Sequence, residues 1–155
     1  MSAAELYQAA LKSLAQEASG HGRLDAPGGR ALADNPLCGD RVEMEVSLAE
    51  GRIAALAHRV QGCLLCRASA SAIGRRAPGA TPEEVERIAG ALQAMLEGSP
   101  PPGWDSSWDE LAAFAPAQAY RSRHGCVLLP FRALLEALRA ARAGVDDGHM
   151  SGREQ

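Results

Sequence analysis

A chain of 155 residues has the length of one domain, enough to withdraw roughly 68–70% of its unfolded surface from water. With 46% hydrophobic, 23% charged and 4% aromatic residues, the composition is globular and excludes a disordered chain, a collagen-like fibre and a disulfide-dense miniprotein. The 16 basic and 19 acidic residues leave a net charge of −3, which gives no electrostatic footprint for nucleic acid or an anionic membrane.

The opening stretch, Met1 to Glu17, carries glutamates where a signal peptide would have a basic start and an unbroken apolar core, and no apolar run approaches the roughly 20 residues that span a bilayer. The sequence therefore predicts a soluble, cytoplasmic chain. Ala3 to Ala18 repeats Leu6, Tyr7, Ala10, Leu11 and Leu14 at helical spacing, and Gly20 and Gly22 end that helix. A loop rich in glycine, proline and aspartate follows through Gly29. Arg30 to Ala33 can add a short strand. Arg41 to Leu48 alternates cleanly, Val42, Met44, Val46 and Leu48 against Glu43, Glu45 and Ser47, which is the pattern of a half-buried strand. Ala49-Glu50-Gly51 then turns the chain into a second strand over Arg52 to Val60, making a hairpin.

Everything after Gly62 reads as helical. Leu64 to Ala77 is dense in alanine and serine, small residues that let a helix approach its neighbours. Thr81-Pro82-Glu83-Glu84 is a helix start with a cap, a first-turn proline and a capping-box glutamate. Val85, Ile88, Ala89, Leu92, Met95 and Leu96 form its apolar stripe, stopped by Gly98 and Pro100 to Pro102. Ser107 to about Ala115 offers a shorter helix. Val127, Leu128, Phe131, Leu134, Leu135 and Leu138 mark a last one, opened by Cys126 and ending near Gly144. Val145 to Gln155 lacks periodicity and is expected to be a flexible tail. Strands first and helices after predict an α+β domain over residues 1–144.

The four cysteines are Cys38, Cys63, Cys66 and Cys126. Without an export signal they point away from disulfides. Composition leaves two readings level: thiols gathered by the fold around a metal or sulfur site, or small buried apolar residues. Cys38 and Asp40 flank Gly39, whose turn can aim a thiolate and a carboxylate at one centre. A bare C-x-D is equally the mark of a loop cysteine beside a turn aspartate. Cys63 lies where a strand hands over to a helix, whose unpaired N–H groups favour a thiolate. Cys66, one turn on, completes a C-x-x-C that can bind metal or cycle as a dithiol. Arg67 after it excludes a c-type haem site, and the lack of an upstream H-x-E excludes a zinc deaminase. Cys126 follows Arg121-Ser122-Arg123-His124-Gly125, and a helix start with basic neighbours is expected to lower its pKa. His124 is either part of that site or an exposed loop histidine. His58 on its strand reads as structural, Arg75-Arg76 as solvated surface, and Trp104 and Trp108 as packing residues.

Taken together, Asn35-Pro36-Leu37-Cys38-Gly39-Asp40-Arg41, Gly62-Cys63 followed by Ala68-Ser69-Ala70-Ser71, and Arg123-x-x-Cys126 before a leucine-rich helix resemble the IscU/SufU/NifU iron–sulfur scaffold proteins. The resemblance runs from about Leu6 to Leu138 and implies a small antiparallel sheet of about three strands covered on one face by helices. It implies that Cys38, Asp40, Cys63 and Cys126 surround iron or a [2Fe–2S] cluster; Cys66, Arg123 and His124 stand beside that set as auxiliary residues. It further implies a scaffold rather than an enzyme, a monomer or homodimer served by a cysteine desulfurase, with apo iron–sulfur proteins as recipients. Thiolates hold iron strongly and a carboxylate is displaced more readily, so three sulfurs and one oxygen suit a site that must build a cluster and surrender it. The same set suits Zn²⁺, which the purified protein is expected to carry. Departures from the family pattern are Cys66, usually serine there, Gly125 where IscU has histidine, and the absent Leu-Pro-Pro-Val-Lys motif. With the SufU-like segment Trp104 to Ala119, they leave open a second reading, a zinc-dependent sulfurtransferase in which Cys126 accepts persulfide sulfur. A third is a dithiol redox module built on Cys63 and Cys66.

Overall fold

The computed structural model describes the backbone of residues 3–100 and 107–154, and side chains within those ranges except at positions 3, 4, 6 and 145–154. Helix α1 (Ala3–Glu17) precedes strands β1 (Gly29–Asn35), β2 (Asp40–Ala49) and β3 (Arg52–Gln61). Helices α2 (Leu64–Arg76) and α3 (Pro82–Leu96), a 3-10 segment (Asp109–Ala119) and α4 (Arg121–Glu154) complete the chain. The strands form one antiparallel sheet in the order β1-β2-β3, and the domain is α+β as the sequence predicts.

The alternation along β2 sets the layers. Val42, Met44 and Val46 are fully buried and stand opposite Ala33, Ala31 and Gly29 on β1 and Val60, His58 and Leu56 on β3. That face lies under the helices. Helix α4 crosses β1 and β2, while α2 packs on β3 and touches both α1 and α4. The other face carries polar residues, with Arg30 and Arg59 both paired to Glu43. Each fully buried aliphatic side chain contributes about 1.5–3 kcal/mol, so a one-residue slip of β2 would expose this set and is strongly disfavoured.

Helix α2 is buried along Cys66 and Ala68 to Ile73, a run of small residues that lets it sit between sheet and helices. Its serines are anchored rather than stranded: Ser69 Oγ donates to the Val127 carbonyl at 2.7 Å, and Ser71 Oγ accepts from the Ser19 N–H at 3.0 Å. Arg75 and Arg76, read from sequence as solvated surface, both reach Glu110 and tie α2 to the 3-10 segment. Thr81 caps α3 by accepting from the Glu84 N–H, as its sequence predicts. Trp108 is buried against Phe131, ring centroids 6.0 Å apart. Trp104 lies outside the described residues.

Both ends of α4 differ from the sequence reading. Helix α4 starts at Arg121, five residues before Cys126, because its polar first turn gives no apolar signal although nothing in it opposes a helix. It also continues past Gly144 to Glu154. A glycine costs only about 1 kcal/mol in a helix, and no proline follows it. No helix among the described residues is long and apolar enough to cross a membrane.

Candidate metal centre

The hairpin between β1 and β2 carries the first thiol. Asn35 and Asp40 are register partners, so residues 36–39 form a tight loop. The Asn35 carbonyl accepts from the N–H groups of Cys38 (3.3 Å) and Gly39 (2.8 Å), and its side-chain Oδ1 accepts from the Leu37 N–H at 3.2 Å. Gly39 takes φ +75°, a left-handed conformation that glycine adopts without strain. Cys38 is thereby held at the exposed tip of the loop.

Asp40 opens β2 and is 3% exposed. Its Oδ1 accepts from the Cys63 N–H at 3.2 Å, and its Oδ2 lies 3.7 Å from Cys63 Sγ. Cys63 is the N-cap of α2 with no cap of its own side chain, so the carboxylate supplies the partner that an orphan N–H at a helix start requires. Gly62 makes the contact feasible. A Cβ there would stand 3.0 Å from Asp40 Cγ and 3.1 Å from Cys66 Cβ. Cys126 arrives from α4, fully buried, with its Sγ 3.2 Å from Cys38 Sγ.

Donor atoms of Cys38, Asp40 and Cys126 all lie within 4.8 Å of one another, and Cys63 joins them through Asp40. Tetrahedral bonds of about 2.3 Å put neighbouring donors roughly 3.8 Å apart, close to the separations seen. Three thiols and one carboxylate are a donor set that zinc or iron accepts with small adjustments. The structure thus gathers Cys38, Asp40 and Cys126 into one group that could hold a metal, with Cys63 beside it, bonded to Asp40. It also brings Cys66, buried directly behind Asp40.

The electrostatics correct one expectation. Cys126 does not open α4, so it lacks the first-turn N–H groups that would favour its thiolate. Burial pushes its thiol well above the ordinary range, and the thiol's contacts with Cys38, Asp40 and Cys63 add to the effect. Cys66 is pushed up as well, first by burial and then by the Asp40, Cys63 and Cys38 charges. Ionisation of such a cluster calls for a cation within it, and a coordinated thiol is deprotonated outright.

His124 is also corrected. Two residues before Cys126, it stands about 200° around the helix. Its Nε2 lies 3.1 Å from both the Ala117 and Gln118 carbonyls. It ties α4 to the 3-10 segment and does not join the thiols. Arg123 is exposed on the first turn, its N–H bonded to the Tyr120 carbonyl. His58 is structural: it is buried, Nε2 lies 2.7 Å from the Ser19 carbonyl, and burial lowers its pKa.

Sequence reasoning gave no role to the fit between Asn35 and Gly125. A Cβ on Gly125 would stand 2.7 Å from Asn35 Nδ2, so a side chain there would force the Asn35 amide, at the base of the Cys38 loop, to shift. The Asn-Pro-x-x-Gly turn was the available signal for Asn35; none pointed to its partner 90 residues away.

A family model described as the NifU-like N terminal domain matches residues 7–127. The chain belongs to the NifU-like N-terminal domain family. The iron–sulfur cluster assembly scaffold protein IscU of Streptococcus pyogenes serotype M1 is 28% identical over 134 residues, covering 86% of this chain and 83% of the relative. The crystal structure of a nitrogen-fixing NifU-like protein (N-terminal) from Brucella abortus superposes with a TM-score of 0.83 and 28% identity, over 90% of this chain and 96% of that one. A SUF-system scaffold structure from Fervidobacterium islandicum AW-1 gives a TM-score of 0.78 at 20% identity, over 88% and 99% of the two chains. At that identity the likeness concerns the NifU-like fold alone.

Proposed function

We propose that this NifU-like domain is an iron–sulfur cluster assembly scaffold, which receives iron and sulfur at Cys38, Asp40, Cys63 and Cys126, builds a [2Fe–2S] cluster and passes it to apoproteins. The observation that carries the reading is the convergence of Cys38, Asp40 and Cys126 donor atoms within 4.8 Å, with Asp40 bonded to Cys63. The IscU name of the streptococcal relative supports it. The cluster is cargo. Three thiols retain it, of which Cys126 is buried and Cys63 half-buried, the one carboxylate is the weak bond at which it leaves, and the exposed Cys38 loop is the side from which it is handed over.

Sulfur arrives as a persulfide on a cysteine desulfurase. A thiolate of the site attacks the outer sulfur, the desulfurase cysteine leaves as thiolate, and the site carries the new persulfide. Cys126 is the proposed acceptor. Since it is fully buried, the incoming sulfur reaches it past Cys38. A second reading is a zinc-dependent sulfurtransferase, since the same three-sulfur, one-oxygen set also suits tetrahedral zinc.

Anaerobic reconstitution with iron, cysteine and a desulfurase, then mixing with an apo-ferredoxin, separates the two. The scaffold reading predicts visible absorbance that moves to the ferredoxin. A colourless, zinc-loaded protein that speeds the desulfurase would replace it with the second reading.

A further inference from the structure

Three cysteines and Asp40 complete the donor set proposed above; Cys66 remains over. It is fully buried among small residues of α2, yet it adjoins the one oxygen donor and not the apolar core alone.

The geometry follows from helix capping. Cys63 is the N-cap of α2, which places Cys66 at the third helical position. Side chains at these two positions meet across the first turn, the relation on which a capping box depends. Because Cα–Cβ bonds tilt toward the helix N-terminus, Cys66 leans back toward Cys63. Gly62 then removes whatever would separate it from the carboxylate. The point where its Cβ would lie is 3.0 Å from Asp40 Cγ, 3.0 Å from Oδ1 and 3.1 Å from Cys66 Cβ. The Asp40 carboxylate and Cys66 Cβ thus flank one gap with no side chain in it.

We propose that Cys66 is a reserve ligand that replaces Asp40, giving the site a second, all-sulfur coordination set of Cys38, Cys63, Cys66 and Cys126. The inference rests on the metal-holding role proposed for the other three cysteines. The exchange involves no oxidation. The metal–oxygen bond to Asp40 breaks, a metal–sulfur bond to Cys66 forms, and the thiol proton passes to the freed carboxylate that was its neighbour. Thiolate is the better ligand for a soft or borderline metal and carboxylate the more labile one. With Asp40 bound the site is set for release; with Cys66 bound it is set for retention.

Cobalt(II) is the probe, because thiolate-to-cobalt absorption in the near ultraviolet grows with each sulfur bound. Full-length wild type, Asp40→Ala, Cys66→Ser and Asp40→Ala/Cys66→Ser are titrated without oxygen. Asp40→Asn serves as a second version of the carboxylate change, since its amide oxygen still accepts from the Cys63 N–H. The proposal predicts that removing the carboxylate raises the charge-transfer intensity by about one third, the step from three sulfurs to four in a tetrahedral site. Cobalt affinity should stay within about tenfold of wild type, and the double variant should lose the added intensity and bind at least about tenfold more weakly than Asp40→Ala. Three-sulfur spectra in wild type with identical spectra and affinities in Asp40→Ala and the double variant would overturn the reserve-ligand role alone. A wild type without thiolate–cobalt absorption would overturn it together with the metal-holding role beneath it.

Discussion

Replacing Gly125 with alanine tests how the site is closed. The new Cβ would stand 2.7 Å from Asn35 Nδ2, whereas ordinary carbon–nitrogen contact begins near roughly 3.4 Å, so something must move by about 0.7 Å. The Asn35 amide cannot turn away freely, because its Oδ1 holds the Leu37 N–H; breaking that bond costs about 1 kcal/mol. Alanine returns about 1 kcal/mol of helix propensity. Global stability of the metal-free protein should therefore change little. The loop that carries Cys38 is what gives way, and Cys38 Sγ, now 3.2 Å from Cys126 Sγ, moves outward. Metal bonds tolerate displacements of only about 0.2 Å, and losses of positioning around a metal typically cost about 10–100-fold in affinity. Zinc affinity, measured by competition with a chromophoric chelator, should fall by that factor while the urea midpoint of the apoprotein stays near wild type. Asn35→Ala in the same chain removes the clash and should restore part of the affinity. Wild-type zinc affinity in Gly125→Ala would refute the reasoning.

Asp40→Ala should yield a cluster that forms but passes to apo-ferredoxin more slowly, with an apoprotein destabilised by about 0.5–2 kcal/mol through loss of the bond to the Cys63 N–H; transfer kinetics and urea unfolding check the two parts. Mixing with desulfurase and cysteine should leave persulfide mass on Cys126 and none in Cys126→Ser. Persulfide resting on Cys38 in both proteins would assign acceptance to the exposed thiol. Burial holds His58 below its ordinary value of 6.5, with the His21 charge adding to the shift. The unfolded chain therefore takes up the proton first as pH falls, and the stability that neutral His58 contributes is present above about pH 6.5 and lost below it. Urea midpoints at about pH 7.5 and about pH 5.5 should differ less in His58→Gln than in wild type.

The layers of this fold are legible in the sequence because Val42, Met44 and Val46 of β2 are buried on one face, and that period-two pattern admits one register as far as Ser47, where the pairing with β3 shifts. The capping residues Thr81 and Glu84 announce α3 for the same local reason. The start of α4 is not legible, since Arg121 to His124 are polar and a helix exposed there leaves no periodic mark. That one boundary misplaced two expectations. With α4 begun at Arg121, Cys126 loses the helix-start advantage and His124 rotates to the far side. The end of the 3-10 segment is hidden similarly. Pro116 sits inside it, where an α-helix would have stopped. The NifU-like motifs name the residues of the site, but its closure depends on contacts far apart along the chain. Cys38 meets Cys126 across 88 positions, and Gly62 and Gly125 matter only for what stands opposite them.

Cys38, Asp40, Cys63 and Cys126 are proposed to hold a transferable cluster. Iron and acid-labile sulfide analysis with Mössbauer spectroscopy, on protein purified and reconstituted without oxygen, tests it most directly. Iron and sulfide are expected in equal amounts, about two of each per cluster, with one iron whose parameters change in Asp40→Ala. Stoichiometric zinc that iron and sulfide fail to displace, with no cluster signal in either protein, would contradict it.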